Sequence, residues 1–168
     1  MRILVAGIGN IFFGDDAFGV EVVRGLTQRE WPGDVRVEDF GIRSYDLAYA
    51  IMDGYDAVIL IDATSRGRPA GTVSLIEPDT SDLESDGDEV VNAHSMNPVR
   101  VLQMARSLGG EMQRIYLVGC EPEVLETEEI GLSASVQAAV PQAVEMIGSL
   151  VSELCGKATG LSLGGGHE

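Results

Sequence analysis

Residues 57 to 61, AVILI, are apolar at every position, and residues 2 to 7, RILVAG, are nearly so. A strand with one face in water alternates apolar and polar residues. A strand without alternation is covered on both faces. Such strands belong to parallel sheets flanked by helices on both sides, and this requirement constrains the fold more than any other feature of the chain.

The remaining segments agree with it. Phe18, Val22 and Leu26 recur at helical spacing and predict a first helix ending before Trp31. Residues 35 to 40 alternate and read as a strand. Leu47, Ala50 and Ile51 mark a short helix ending near Gly54. About nine residues separate Asp62 from the apolar stretch 72 to 76, too few for a parallel crossover, so that strand is expected to be antiparallel. A long polar loop covers 77 to 95. Asn97-Pro98 reads as an N-cap and first helical position, opening a helix with Val101, Leu102, Ala105 and Leu108 on one face. Residues 114 to 119 are the last strand, and Ser133 precedes a final helix that Pro141 should kink.

The expected fold class is therefore α/β: a three-layer sandwich with a mostly parallel, twisted five-stranded sheet, helices on both faces and one antiparallel strand. At 168 residues the chain has the length of one domain. We expect that domain over 1–156, followed by a flexible Gly-rich tail at 157–168. In such sheets ligands bind beyond the carboxyl ends of the strands. Loops 8 to 16, 39 to 44 and 62 to 68 should meet there.

The formal charge of −16 argues against binding nucleic acid or an anionic membrane, both of which call for a basic surface. No stretch of about 18 apolar residues exists to span a bilayer, and the N-terminus lacks a signal-peptide pattern. Cys120 and Cys155 form neither a zinc pattern nor a disulfide framework. They read as free thiols of a cytoplasmic protein.

Imidazole is scarce. His167 lies in the Gly-rich tail, so chemistry needing a fixed histidine falls to His94, although a loop or capping histidine is the plain alternative. Asp62 ends the most buried strand, where an unpaired charge is costly. Asp15 and Asp16 open the first helix, where one carboxylate serves as a cap more readily than two. One of these, with Asp62 and His94, makes an O,O,N set that leaves open positions on a metal, as hydrolysis requires.

Other patterns fail. Gly7-Ile8-Gly9 opens like a dinucleotide fingerprint, but Phe12 stands where the third glycine belongs. The G-x-S-x-G at 160 to 164 has no following helix. Residues 77 to 89 hold seven acids and 121 to 129 hold five, with no base in either. They read as solvated loops, or as a field that attracts a basic partner; in the second case association weakens as salt rises.

The sequence G-x-G-N-x-x-x-x-D-D-x-x-G at Gly7 to Gly19, the strand ending in Asp62, His94, L-V-G-C-E-P-E at 117 to 123 and G-L-S at 131 to 133 occur in one order across the chain. Together they resemble the hydrogenase maturation endopeptidases. The resemblance implies cleavage of a C-terminal extension from the precursor of the nickel–iron hydrogenase large subunit after nickel insertion. It implies that Asp16, Asp62 and His94 contact nickel borne by the substrate, with Asp15 or Asp16 relaying a proton. A monomer needing no membrane or nucleic acid is expected. Two readings compete: a nickel- or large-subunit-binding factor without catalysis, and a Rossmann-like nucleotide-binding enzyme. The chain departs from the family in its Asp15-Asp16 pair where relatives have Asp-Glu, in Ala17 for glycine, and in D-F-G-I-R-S-Y after the second strand.

Overall fold

The computed structural model describes residues 1–78, 98–110, 114–123 and 129–163. Five strands form one sheet: β1 (Arg2–Ile8), β2 (Asp34–Gly41), β3 (Ala57–Ala63), β4 (Val73–Ile76) and β5 (Arg114–Cys120). Their order is β2-β1-β3-β5-β4. β1 pairs in parallel with β2 and β3, and β3 with β5. β4 alone runs antiparallel, with Val73 opposite Cys120 and Ile76 opposite Leu117, as the short connection from Asp62 requires.

Successive residues of the central strands feed opposite cores, the consequence of a two-residue period. Ile3, Val5, Ile59, Ile61 and Val118 face α1 (Phe18–Leu26) and α4 (Ala134–Leu163), meeting Phe18, Val22, Leu26, Ala143 and Ile147. Leu4, Ala6, Ile8, Val58, Leu60 and Ile115 face α2 (Ser44–Ile51) and α3 (Pro98–Ser107), meeting Leu47, Ile51, Val101, Leu102 and Ala105. The non-alternating strands are thus buried on both sides. Burying a single Leu or Ile side chain there contributes about 1.5–3 kcal/mol.

The helix α4 extends through Leu163, past residue 157 where a flexible tail was expected. A single glycine such as Gly160 costs a helix about 1 kcal/mol, which flanking good helix formers offset. Pro141 lies inside α4. Asn97, the expected cap of α3, lies outside the described residues, as does most of the acidic 77–89 segment. Among the described residues no helix is long and apolar enough to cross a membrane.

Candidate active site

The β1 carboxyl end is the point where strand order reverses: β2 lies to one side and β3 to the other. The loop leaving β1 turns back through a single 3-10 turn, Gly14–Ala17, into α1. Three glycines make this path sterically open. A Cβ on Gly9 would sit 1.8 Å from the Asp16 carbonyl oxygen, and Gly9 also has φ +139°. A Cβ on Gly19 would sit 2.3 Å from the Ile8 carbonyl oxygen and 2.4 Å from that of Ile61. A Cβ on Gly7 would meet the Gly19 carbonyl at 2.5 Å. These glycines let the start of α1 press against the ends of β1 and β3.

This packing puts two acids beside each other. The Asp16 carboxylate accepts the Asn10 N–H at 2.9 Å, while the Asn10 side chain accepts the Phe12 N–H at 2.9 Å and closes the loop. Burial raises the Asp16 pKa, and the Asn10 hydrogen bond offsets part of that. Asp62 is 5% exposed, and its Oδ1 is buried with no hydrogen-bond partner among the described residues. Burial pushes its pKa well above the ordinary carboxylate range. The Asp16 charge pushes it further, and the Ala63 N–H opposes both. A buried carboxylate oxygen without a donor, next to a like charge, is unfavourable in the protein alone and suits a cation between the two acids.

Asp15 is placed differently from the expectation. It is fully buried, and both oxygens are engaged. Oδ1 accepts the Ser133 N–H at 2.7 Å; Oδ2 accepts the Glu123 N–H and the Ser133 hydroxyl, each at 2.9 Å. Adjacent residues of a tight turn project in different directions, so Asp15 ties the turn to the segment before α4 while Asp16 turns to Asn10. Ser133 occupies the expected cap position, but its hydroxyl serves Asp15. Asp15→Asn replaces one acceptor oxygen by an NH2 group. We expect it to cost about 1–3 kcal/mol, read as a lower urea midpoint.

Two further residues escaped the sequence reading. Glu121 is nearly buried and accepts the Arg66 N–H with both oxygens, at 3.1 and 2.9 Å, fixing the loop after β3. It is therefore an internal tie rather than part of a solvated acidic surface. Asn10 was legible only as a letter in the motif. The loop after β2 joins the first loop through the Gly9 N–H donating to the Gly41 carbonyl at 2.9 Å. The D-F-G-I-R-S-Y segment thus borders the site.

His94 lies outside the described residues, and so does His167. Among the described residues no three potential ligands cluster; Asp16 and Asp62 are a pair. Burial pushes the Cys120 thiol up to about 11, with the Asp15 and Glu121 charges adding to the shift. A thiol held protonated is a poor nucleophile. Iodoacetamide at neutral pH should therefore leave Cys120 unalkylated in the folded protein, as read by peptide mass analysis.

An α/β sheet with a buried and a half-buried carboxylate at its topological switch point defines a candidate hydrolase class. Comparison with known proteins narrows it. The family model for hydrogenase maturation proteases matches residues 20–150. The hydrogenase 2 maturation protease of Escherichia coli is 33% identical over 149 residues, covering 88% of each chain. The hydrogenase expression/formation protein HupD of Rhizobium leguminosarum bv. viciae is 32% identical, covering 86% of this chain and 71% of that one. Among solved structures, the hydrogenase maturating endopeptidase HybD from E. coli superposes with a TM-score of 0.75 at 32% identity, covering 91% and 93% of the two chains. The chain belongs to the hydrogenase maturation protease family. It is accordingly a hydrolase, an endopeptidase of hydrogenase maturation.

Proposed function

We propose that this chain removes the C-terminal extension from the nickel-loaded precursor of a nickel–iron hydrogenase large subunit. The observation that carries the site assignment is the unpartnered Oδ1 of Asp62 beside Asp16. Nickel is part of the substrate in this reading. Asp16 and Asp62 are its protein ligands, and His94, the one histidine outside the Gly-rich end of the chain, is the third. The protein acts as a monomer in the cytoplasm, where the precursor is matured.

The chemistry follows from the charges. A divalent ion between the two carboxylates removes their repulsion, and it does so only when both are ionised. The ion polarises the scissile carbonyl and acidifies a water that attacks the carbonyl carbon. The water's proton passes to a carboxylate oxygen of Asp16 and then to the leaving amine nitrogen as the C–N bond breaks. Asp15, whose oxygens are taken by Ser133 and Glu123, holds the turn and takes no part in proton transfer. Neither a thiol nor a hydroxyl nucleophile is required.

The test is incubation of the full chain with a nickel-loaded and a nickel-free large-subunit precursor, with mass analysis of the precursor's C-terminus over time. Release of one discrete peptide from the loaded form alone is the expected outcome. Stable binding without release would favour a non-catalytic binding factor. Equal cleavage of the nickel-free form would remove nickel from the mechanism.

A further inference from the structure

Between the first loop and the start of α4 lies a groove of about 550 Å³ walled by Ile11, Phe12, Ile130, Leu132, Val140 and Pro141. None of these residues takes part in the chemistry above. Phe12 is 60% exposed and Ile130 77% exposed, so two large apolar side chains face water at one place. Contiguous exposed apolar surface of this kind marks an interaction site.

The groove adjoins the candidate active site along the chain. Its Ala17 wall directly follows Asp16. Ile11 and Phe12 follow Asn10, whose N–H holds Asp16. Pro141 has no N–H to offer the Gln137 carbonyl one turn earlier, and both residues line the groove, so a main-chain acceptor there lacks its regular helical donor. The Arg24 guanidinium in the wall is paired with Glu21 at 3.0 Å, so the described walls present no unpaired cation. Apolar walls and a carbonyl without its helical donor fit an extended peptide. That peptide has a bulky apolar side chain.

We propose that this groove holds the C-terminal extension of the precursor just beyond the scissile bond, with a bulky apolar residue between Phe12 and Ile130. The inference rests on the processing reading. The metal-bearing body of the precursor occupies the crevice over Asp16 and Asp62, so the segment about to be released passes along the other side of the first loop. Phe12 and Ile130 are specificity-determining residues in this arrangement.

Steady-state cleavage of the nickel-loaded precursor by the full chain tests the groove. Phe12→Ala and Ile130→Asp should each raise KM about tenfold or more, with kcat within about twofold. Tyr49→Ala, an equally exposed aromatic on α2 away from the groove, should change neither constant. Replacing the first bulky apolar residue of the extension by Asp should raise KM with wild-type protein and add little more with Ile130→Asp. Because both groove side chains are exposed, melting temperatures should stay within about 2 °C of wild type. An unchanged KM in both variants, with wild type cleaving normally, overturns the groove assignment and leaves the processing reading standing. A fall in kcat at constant KM also overturns it. No cleavage by the wild type overturns both readings together.

Discussion

Asp62→Asn protein should melt higher than wild type at pH 7 and yet lose cleavage by about 10²–10⁴-fold. The two effects have one cause. In the free protein the Asp62 carboxyl is buried, faces the Asp16 charge and leaves Oδ1 without a donor. An amide at this position is neutral and donates toward Asp16. Removing an unfavourable buried charge should stabilise by about 1–2 kcal/mol, or about 3–6 °C for a chain of this size. What the free protein loses in stability is the site's affinity for a divalent ion, since a neutral amide neither repels Asp16 nor ligates as an anion.

The pH dependence separates this account from a packing effect. Unfolded, Asp62 titrates near its ordinary value of 3.8; folded, it titrates well above it. Between those values the folded chain holds a proton that the unfolded chain has lost. The stability linked to that proton is fully present below 3.8 and is lost as pH rises through the folded value. The asparagine has no such loss. The melting difference between variant and wild type should vanish near the acid end and widen toward neutrality. A lower melting temperature for Asp62→Asn at pH 7, or a difference independent of pH, would refute the explanation.

Gly9→Ala should do the opposite and lose both stability and activity. Its Cβ would lie 1.8 Å from the Asp16 carbonyl oxygen, at a φ of +139° that L-residues rarely adopt. Backbone must move, because the obstructing atom is backbone. The Gly9 hydrogen bond to Gly41 and the Asn10 hydrogen bond to Asp16 lie on either side of that atom. Strain and displaced packing together should cost about 3–5 kcal/mol, about 10 °C in melting temperature. Cleavage should fall with the geometry even at temperatures where the variant is folded. Gly156→Ala is the control: a Cβ there meets nothing within 4 Å, and the residue lies in α4. It should stabilise by about 0.5–1 kcal/mol without affecting cleavage. Equal behaviour of the two variants would mean that Gly9 is a flexible hinge rather than a packing contact.

Much of this protein was readable residue by residue. The unalternating AVILI and RILVAG segments required two covered faces, and each strand's odd and even residues do enter separate cores. The nine-residue return from Asp62 was too short for a parallel strand, which decided the direction of β4. Scarcity and cost singled out Asp62 and one of the two adjacent aspartates. Residue type and position did not separate the two, because Asp15 and Asp16 are neighbours of one kind in one turn; the family resemblance alone put the metal contact on Asp16. In the structure their partners, Ser133 and Glu123 for one and Asn10 for the other, distinguish them. Those partners of Asp15 lie more than a hundred residues away.

Hydrophobic period, turn residues and connection length are local quantities, and they determined the element order, the parallel sheet and the end of the sheet where chemistry belongs. Three things required the tertiary structure: the close approach of α1 to the strand ends that glycines 7, 9 and 19 permit, the orphaned oxygen of Asp62, and the apolar groove beside Asp16. Each is a relation between atoms distant along the chain, and whether a buried charge has a partner is decided only when all its neighbours are in place.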